Sequence, residues 1–207
     1  MPRRILVLYG TTYGQTARIA HRIAEVLGAP GDAVELRRVD QLPRSTTPGD
    51  YDGVVLGASV IAGRHQRAMR RFARRHRGAL NDMPSAFFSV SASAGSHDER
   101  GRAEARRCIS TFLRATGWYP PLTETIAGTI AYTRYNPLLR WWMRRISARA
   151  GGPTDTTRDH ELTDWRQVDR FATSFGALVG HAHHDAHHDA HHDAPYAAPD
   201  REPALLH

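Results

Sequence analysis

An almost unbroken apolar run, YDGVVLGAS at residues 51–59, constrains the fold of this chain more than any other feature. Strands that are covered on both faces, as in parallel sheets between two helix layers, have such continuous runs. Strands with one face in water alternate apolar and polar residues instead. The run therefore predicts a central strand that is buried on both faces. Four further strand-like segments are predicted at 3–9, 33–39, 85–93 and 122–130.

Segments with apolar residues at helical spacing separate the five predicted strands. Helices are predicted over 16–27, 65–77, 98–116 and 164–179. Parallel neighbours in a sheet need crossover connections, so this alternation predicts an α/β fold with a doubly wound, five-stranded parallel sheet. Ligands of such sheets bind beyond the carboxyl ends of the strands, where the strand order reverses. The rule directs attention to the loops 10–16, 59–65 and 91–97.

The first of these loops lies within YGTTYGQTA, between the first predicted strand and the first predicted helix. Free backbone N–H groups at such a helix start form an anion site. Gly14 permits close approach of the backbone, and the hydroxyls of Thr11, Thr12 and Thr16 add donors; Thr16 is also a candidate helix cap. The sequence has no lysine, which excludes a Walker P-loop, and the spacing of Gly10 and Gly14 excludes the dinucleotide motif GxGxxG. A phosphate monoester held by neutral donors fits the loop best.

The charge is distributed unevenly along the chain. Residues 1–180 carry 27 arginines and 16 acidic residues, a formal charge of +11, whereas 181–207 carry one arginine and five acidic residues, a charge of −4. A body this basic favours an anionic partner: nucleic acid, acidic lipid or a polycarboxylate ligand. The single cysteine, Cys108, excludes an internal disulfide or a CxxC metal site. The first apolar run ends at Tyr9, too short for a signal peptide, so a cytoplasmic location is expected.

The loop resembles the phosphate loop of flavodoxins, which reads Ser/Thr, any residue, Thr, Gly, any residue, Thr. Thr11, Gly14 and Thr16 match this pattern, and Tyr13 replaces the middle threonine. Longer segments resemble the bacterial flavodoxin-like, quinone-dependent protoporphyrinogen oxidase family over nearly all of 3–179. The segments that carry this resemblance are YDGVVLGASVIAGRHQRAMRRFARRH, LNDMPSAFFSV, IAGTIAYTRYN, and AGGPTDT with TDWRQVDRFA.

The resemblance implies a flavodoxin-like sheet with strand order 2-1-3-4-5 and an FMN-binding domain over 1–180, with an insertion near strand five at 131–162. It implies an oxidoreductase of haem biosynthesis that converts protoporphyrinogen IX to protoporphyrin IX with a menaquinone-type acceptor. The cofactor-binding residues that it implies are Thr11, Thr12, Tyr13, Gly14, Gln15, Thr16, Ser59, Val60, Ile61, Ala62, Gly63, Ser89, Val90, Ser91 and Ala92. Candidate substrate contacts are Arg64, Tyr132, Arg134 and Trp141.

Two other functions stay open on the residues alone. Short flavodoxins often stack an aromatic ring on the flavin, whereas this chain offers Val60, Ile61 and Ala62, which argues against a low-potential electron carrier. A flavodoxin-type carrier, or a quinone reductase with another substrate, remains the alternative. A nucleic-acid-binding module is not expected, because no helix-turn-helix, RNP motif or zinc finger accompanies the basic charge. No residue is identified as a catalytic acid or base.

The segment 137–150 within the expected insertion is predicted to form a cationic amphipathic helix. Leu139, Trp142, Met143, Ile146 and Ala150 share one side, with Arg140 and Arg144 opposite. Such a helix lies on an anionic membrane surface, walls a substrate pocket, or packs on the domain. We expect the helix either to lie on a membrane surface or to wall the substrate pocket. If it lies on a membrane, the protein is expected to be peripheral on the inner face of the cell membrane.

The tail from residue 181 has a different composition. AHHD occurs three times in tandem, and the tail holds eight of the thirteen histidines. It has no core-forming pattern and is expected to be disordered. Closely spaced imidazoles chelate metal ions, so loose metal binding is expected here and a metal site with fixed geometry is expected nowhere.

Overall fold

A computed structural model describes residues 2–43, 45–96, 98–149 and 151–192 of the chain, without the side chains of 149 and 183–192. Five strands form a parallel sheet in the order β2-β1-β3-β5-β6, and a short strand, β4, folds back antiparallel onto β3. This confirms the expected order 2-1-3-4-5 for the five parallel strands. The strands are β1 (Arg4–Gly10), β2 (Ala33–Arg38), β3 (Gly53–Ile61), β4 (Arg64–His65), β5 (Ser85–Ser91), β6 (Leu122–Ala127), β7 (Thr129–Ile130) and β8 (His160–Glu161).

Helices cover both faces of the sheet, which explains the continuous apolar run of β3. They are α1 (Gln15–Gly28), α2 (Arg67–Arg75), α3 (Arg77–Asn81), α4 (Glu99–Thr116), α5 (Pro137–Arg149) and α6 (Trp165–His192). One core cluster joins the sheet to α1 and α6, and a second joins it to α2 and α4. Gly57 in β3 permits this packing, since a Cβ there would lie 1.9 Å from Cζ of Phe88.

Register brings the carboxyl ends of the parallel strands to one edge. Gly10 pairs with Ala58, and Ser59 pairs with Val90. Ser91 in turn pairs with Ala127. The loops that follow β1, β3 and β5 therefore emerge side by side, as the parallel topology requires.

Two predicted elements are divided in the structure. The helix expected over 65–77 begins at Arg67, because the preceding residues form β4, and His76 separates α2 from α3. The strand expected over 122–130 breaks at Gly128, where a Cβ would lie 2.9 Å from Cγ1 of Val90. After this break β7 leaves the main sheet and pairs antiparallel with β8.

The last helix is longer than predicted. It continues through His192, beyond the predicted end at residue 179, whereas the disorder expected for the tail from residue 181 stays a prediction. Alanine recurs there without an intervening proline or glycine, and extending an existing helix avoids the cost of nucleating a new one. Residues 193–207 lie outside the described residues, as do the histidine side chains from His183 onward.

The segment expected as an insertion, 131–162, has a small core of its own. Ile130, Ala131, Tyr132 and Tyr135 are buried together, and Tyr13 packs against them from the first loop. The hydroxyl of Tyr132 donates a 2.8 Å hydrogen bond to the carbonyl oxygen of Pro153. In the described residues, no helix is both long enough and apolar enough to cross a lipid bilayer.

Candidate functional site

A cavity opens at the edge of the sheet where the carboxyl ends of the strands meet. Its accessible volume is about 160 Å³, and it is partly open to solvent. A concave site with a mainly apolar lining and a few polar groups is typical of small-molecule and cofactor sites. Its lining residues are Thr11, Tyr13, Gln15, Thr16, Ser59, Val60, Ile61, Ala62, Val90, Ser91, Ala92, Gly128, Thr129, Tyr135, Leu139, Trp142 and Met143.

The loop after β1 has the backbone of a phosphate cradle. Gly14 occupies the N-cap position of α1 with φ +98°, a left-handed conformation that a side chain would strain. Its N–H donates a 3.0 Å hydrogen bond to Oγ1 of Thr11. The start of α1 has no side-chain cap, so N–H groups of its first turn remain available to an anion. Thr16 is therefore not the helix cap that the sequence suggested; it is buried within the first turn.

Side chains at the end of the 131–162 segment and just beyond it hold the first turn of α1. Nε2 of Gln15 donates hydrogen bonds to Oγ1 of Thr163 at 2.8 Å and to Oε1 of Glu161 at 3.2 Å. Arg18 donates to the second oxygen of Glu161 at 2.8 Å. The hydroxyl of Thr163 donates to the carbonyl oxygen of Ala127 at 2.8 Å, which ties the network to β6.

The loop after β3 is a tight hairpin. Ala62 and Gly63 adopt φ values of +48° and +72° and turn the chain into β4. Val60, Ile61 and Ala62 line the cavity. Gly63 does not: it lies in a separate groove beside α4, where Sγ of Cys108 donates to its carbonyl oxygen at 3.8 Å. The turn reverses the chain, which carries Gly63 away from the cavity.

Buried Ser89 and half-buried His65 of this hairpin form a hydrogen-bonded pair. Nε2 of His65 and Oγ of Ser89 are 2.9 Å apart, and the imidazole packs edge-on against Phe87 and Phe112. Burial lowers the pKa of His65 to about 4, so the ring is neutral at physiological pH. Ser89 is 1% exposed and lines no part of the cavity. Its side chain supports the hairpin instead of contacting a ligand.

The loop after β5 contributes Val90, Ser91 and Ala92 to the cavity. The hydroxyl of Ser91 accepts a 3.2 Å hydrogen bond from the N–H of Ala94. A 3₁₀ turn over Ser93–Gly95 completes the loop and keeps it compact. The loop therefore presents small side chains and backbone to a ligand.

Four of the remaining predicted residues lie away from the main cavity. Arg64 and Thr12 line an adjoining groove that shares Ser59 and Ile61 with the cavity. Trp141 faces solvent, 55% exposed, with the guanidinium of Arg145 5.2 Å from its ring centre. Tyr132 is fully buried and is excluded as a substrate contact.

Arg134 lies against the phosphate loop. Its Nη1 donates a 2.6 Å hydrogen bond to the carbonyl oxygen of Tyr13. The ring of Tyr13 itself meets the ring of Tyr135 edge-on, with centroids 5.1 Å apart. The residue that replaces the flavodoxin threonine thus joins the loop to the 131–162 segment.

Six cavity-lining residues were not among the individual cofactor and substrate contacts predicted from the sequence. Trp142 and Met143 lie on the apolar side of the predicted helix, a signal that could have identified them. Thr129 was hidden within a predicted strand, and its Oγ1 is buried without a hydrogen-bond partner. The six are Gly128, Thr129, Tyr135, Leu139, Trp142 and Met143.

These features meet the requirements of a flavin mononucleotide. The cradle at Gly14 suits a phosphate monoester, and the unpartnered hydroxyl of Thr129 gives the cavity a polar group to bind a ligand. Small and aliphatic side chains from the loops after β3 and β5 leave room for a flat ring. Within the described residues, no group of three or more His, Cys, Asp or Glu side chains is placed to hold a metal ion.

Fold and site together define a flavodoxin-like domain that binds FMN. A family model described as a flavodoxin domain matches residues 6–157. Proteins named protoporphyrinogen IX dehydrogenase (quinone) from Escherichia coli K12 and Leishmania major are 34% and 35% identical to the chain over 179 residues. The alignments cover 85% and 84% of this chain, and 96% and 75% of the two relatives. The chain belongs to the flavodoxin-domain family and, within it, to the protoporphyrinogen IX dehydrogenase (quinone) family.

Solved structures share the architecture at low identity. A short-chain flavodoxin associated with a bacterial microcompartment superposes with a TM-score of 0.53 at 12% identity, over 86% of this chain and 99% of its own. Rubredoxin:oxygen oxidoreductase from Desulfovibrio gigas gives 0.51 at 12% identity, over 86% of this chain and 36% of its own. At this identity the likeness shows the fold alone.

Proposed function

We propose that this protein is an FMN-dependent dehydrogenase that oxidises protoporphyrinogen IX to protoporphyrin IX and transfers the electrons to a quinone. The observation that carries the proposal is the identity of 34% to the Escherichia coli dehydrogenase over 96% of that protein's length. An alignment that spans 85% of this chain includes the loops after β3 and β5 and the 131–162 segment.

Bound FMN would supply the two-electron redox chemistry, and the residues of the chain would hold it and shape the space beside it. The phosphate loop and the start of α1 would hold the phosphate. Ser59, Val60 and Ile61 would lie along one side of the ring, with Val90, Ser91 and Ala92 along another. Conversion of a porphyrinogen to a porphyrin removes six electrons and six protons, so three quinones would each accept two of both.

The residues around the mouth of the cavity suit a large apolar tetrapyrrole with two carboxylates. Leu139, Trp142 and Met143 of α5 give the cavity an apolar wall. Arg64 lies on the adjoining groove, and none of the acidic side chains in the described residues pairs with it. A guanidinium binds a carboxylate through two parallel hydrogen bonds, so Arg64 would bind a propionate of the substrate.

We also propose that α5 lies on an anionic membrane surface, where a lipid-soluble quinone would be reached. Leu138, Trp141, Trp142 and Ile146 are exposed apolar side chains of this helix. The segment 137–150 contains four arginines, Arg140, Arg144, Arg145 and Arg149, and no acidic residue. Apolar side chains that enter the interface and arginines that meet lipid phosphates are the features of an interfacial helix.

An anaerobic assay with purified protein tests the proposed activity. The bound flavin is identified first, and porphyrin fluorescence is then followed after protoporphyrinogen IX and a soluble quinone are added. The proposal requires FMN in the protein and quinone-dependent formation of porphyrin. FMN without porphyrin formation would favour an electron carrier or a quinone reductase with another substrate. The absence of flavin binding would rule out all three of these functions.

A further inference from the structure

The guanidinium of Arg134 lies on the phosphate loop, although the residue belongs to a distant part of the sequence. Its Nη1 is 2.6 Å from the carbonyl oxygen of Tyr13. The same nitrogen is 3.5 Å from the position that a Cβ on Gly14 would occupy. A side chain from the 131–162 segment therefore lies beside the glycine that opens α1.

The backbone that carries Arg134 is held in place. Tyr132–Arg134 form a 3₁₀ turn, closed by a 3.0 Å hydrogen bond from the N–H of Arg134 to the carbonyl oxygen of Ala131. Tyr132 anchors the turn in the small core, and both the N–H and the hydroxyl of Thr133 donate to Oδ1 of Asp159. The fixed turn restricts the positions that the guanidinium of Arg134 can reach.

The loop itself supplies little positive charge to balance a bound phosphate. Residues 11–16 contain no charged side chain. Arg18 is engaged by Glu161 at 2.8 Å, so this pair adds no net charge near the start of α1. A phosphate monoester carries a charge of about −1.5 to −2 at neutral pH, and a helix start contributes only about +0.5. Arg134 forms a long ion pair with Asp159, in which Oδ2 of Asp159 is 4.0 Å from Nε of Arg134.

We propose that Arg134 is the cationic residue of the FMN phosphate site, supplied by the 131–162 segment to a loop that otherwise offers only amide and hydroxyl donors. The inference rests on the FMN-binding part of the proposed function and does not require porphyrinogen as the substrate. It replaces the substrate role expected for Arg134 from the sequence. It also makes folding of the 131–162 segment part of cofactor recognition.

The test compares FMN with riboflavin, which lacks the phosphate. Apoprotein is titrated with each flavin, and dissociation constants are measured from the quenching of flavin fluorescence. We expect Arg134→Gln to weaken FMN binding about tenfold, the size of effect expected when one charge-assisted contact is lost. Riboflavin binding should stay unchanged, and Arg134→Lys should restore part of the FMN affinity because it keeps the charge.

Arg158→Gln is the matched control, because it removes one arginine from the same segment at a position that pairs with Asp155 and lines no part of the cavity. It should leave both affinities unchanged. Added salt should weaken FMN binding less in Arg134→Gln than in the wild type, since an exposed charge is screened.

Two results would overturn the inference: no change in FMN affinity, or an equal loss for FMN and riboflavin, which would make Arg134 a support of the loop alone. A wild-type protein that binds no FMN would overturn it too, together with the proposed function. A protein that binds FMN through Arg134 but forms no porphyrin would contradict only the proposed activity.

Discussion

The rings of Tyr13 and Tyr135 meet edge-on with their centroids 5.1 Å apart, so the phosphate loop and the 131–162 segment share one small core. Tyr135 is buried, and its hydroxyl accepts a hydrogen bond from the N–H of Ala131 at 3.3 Å. Both tyrosines also line the cavity. Their contact therefore connects the packing of the segment to the shape of the flavin site.

Tyr135→Ala should weaken FMN and riboflavin binding by a similar factor. The substitution empties part of the small core, a change that costs about 3–5 kcal/mol at a fully packed aromatic site. The loop would lose its support whether or not the ligand carries a phosphate. Flavin titration measures both affinities, and Tyr119→Ala, at a tyrosine that is 63% exposed, is the control. Unchanged affinities in Tyr135→Ala would show that the loop does not depend on this contact.

Arg64→Gln should raise the KM for protoporphyrinogen IX about tenfold, because a charge-assisted contact to a propionate is lost, with little change in kcat. A dimethyl ester of the substrate lacks the carboxylates, so wild type and variant should turn it over with equal KM. Steady-state porphyrin fluorescence measures the KM of each protein for each of the two substrates.

Arg71→Gln controls for loss of charge on the same side of the sheet. Arg71 lies on α2 but faces a different groove, beside Val39 and Phe72. A KM that rises as much in Arg71→Gln as in Arg64→Gln would mean that general attraction of an anionic substrate, and not a contact at Arg64, explains the effect.

Trp141→Ser should reduce binding to vesicles made of equal parts of phosphatidylglycerol and phosphatidylcholine. Trp141 is 55% exposed on the outer side of α5, so its removal takes apolar surface from the proposed membrane contact without touching the cavity. Sedimentation with vesicles measures the bound fraction, and Tyr119→Ser is the matched loss of an exposed aromatic. Equal binding of the wild type to vesicles of phosphatidylcholine alone would contradict the role of the arginines.

The sequence predicted the fold well where the spacing of apolar residues within a segment determines which face of that segment is buried. The apolar run of β3 and the stripe of α1 each reflect a surface that must be covered, and both elements lie within a few residues of the prediction. The breaks at His76 and Gly128 were missed. At Gly128 the cause is a close approach of Val90, a contact between strands that no local pattern records.

The site was predictable to the extent that topology alone creates it. Parallel strands bring their carboxyl ends together, so the loops after β1, β3 and β5 could be named in advance. The side chains of the 131–162 segment could not be placed in this way. Tyr132 and Trp141 are both aromatic residues near arginines in the sequence, yet one is fully buried and the other faces solvent. Tertiary packing of the segment decides between the two positions.

His65 should make the protein less stable in mild acid. Its pKa is lowered by burial from 6.5 to about 4 in the folded protein, so the unfolded chain binds a proton first as the pH falls. The contribution of neutral His65 is fully present above the unfolded pKa and is lost as the pH falls from there towards the folded pKa. Between pH 7 and pH 5 this linkage lowers the free energy of unfolding by about 2 kcal/mol.

His65→Gln should remove that dependence, because glutamine does not titrate and can still form a hydrogen bond with Ser89. Urea unfolding at the two pH values measures the free energy for each protein. Burial also lowers the pKa of His76, but that residue is common to both proteins, so its effect cancels in the comparison. The carboxylates whose pKa values are lowered, such as Glu161 and Asp169, titrate at lower pH still. If wild type and His65→Gln lose the same free energy between pH 7 and pH 5, His65 is not a buried neutral imidazole.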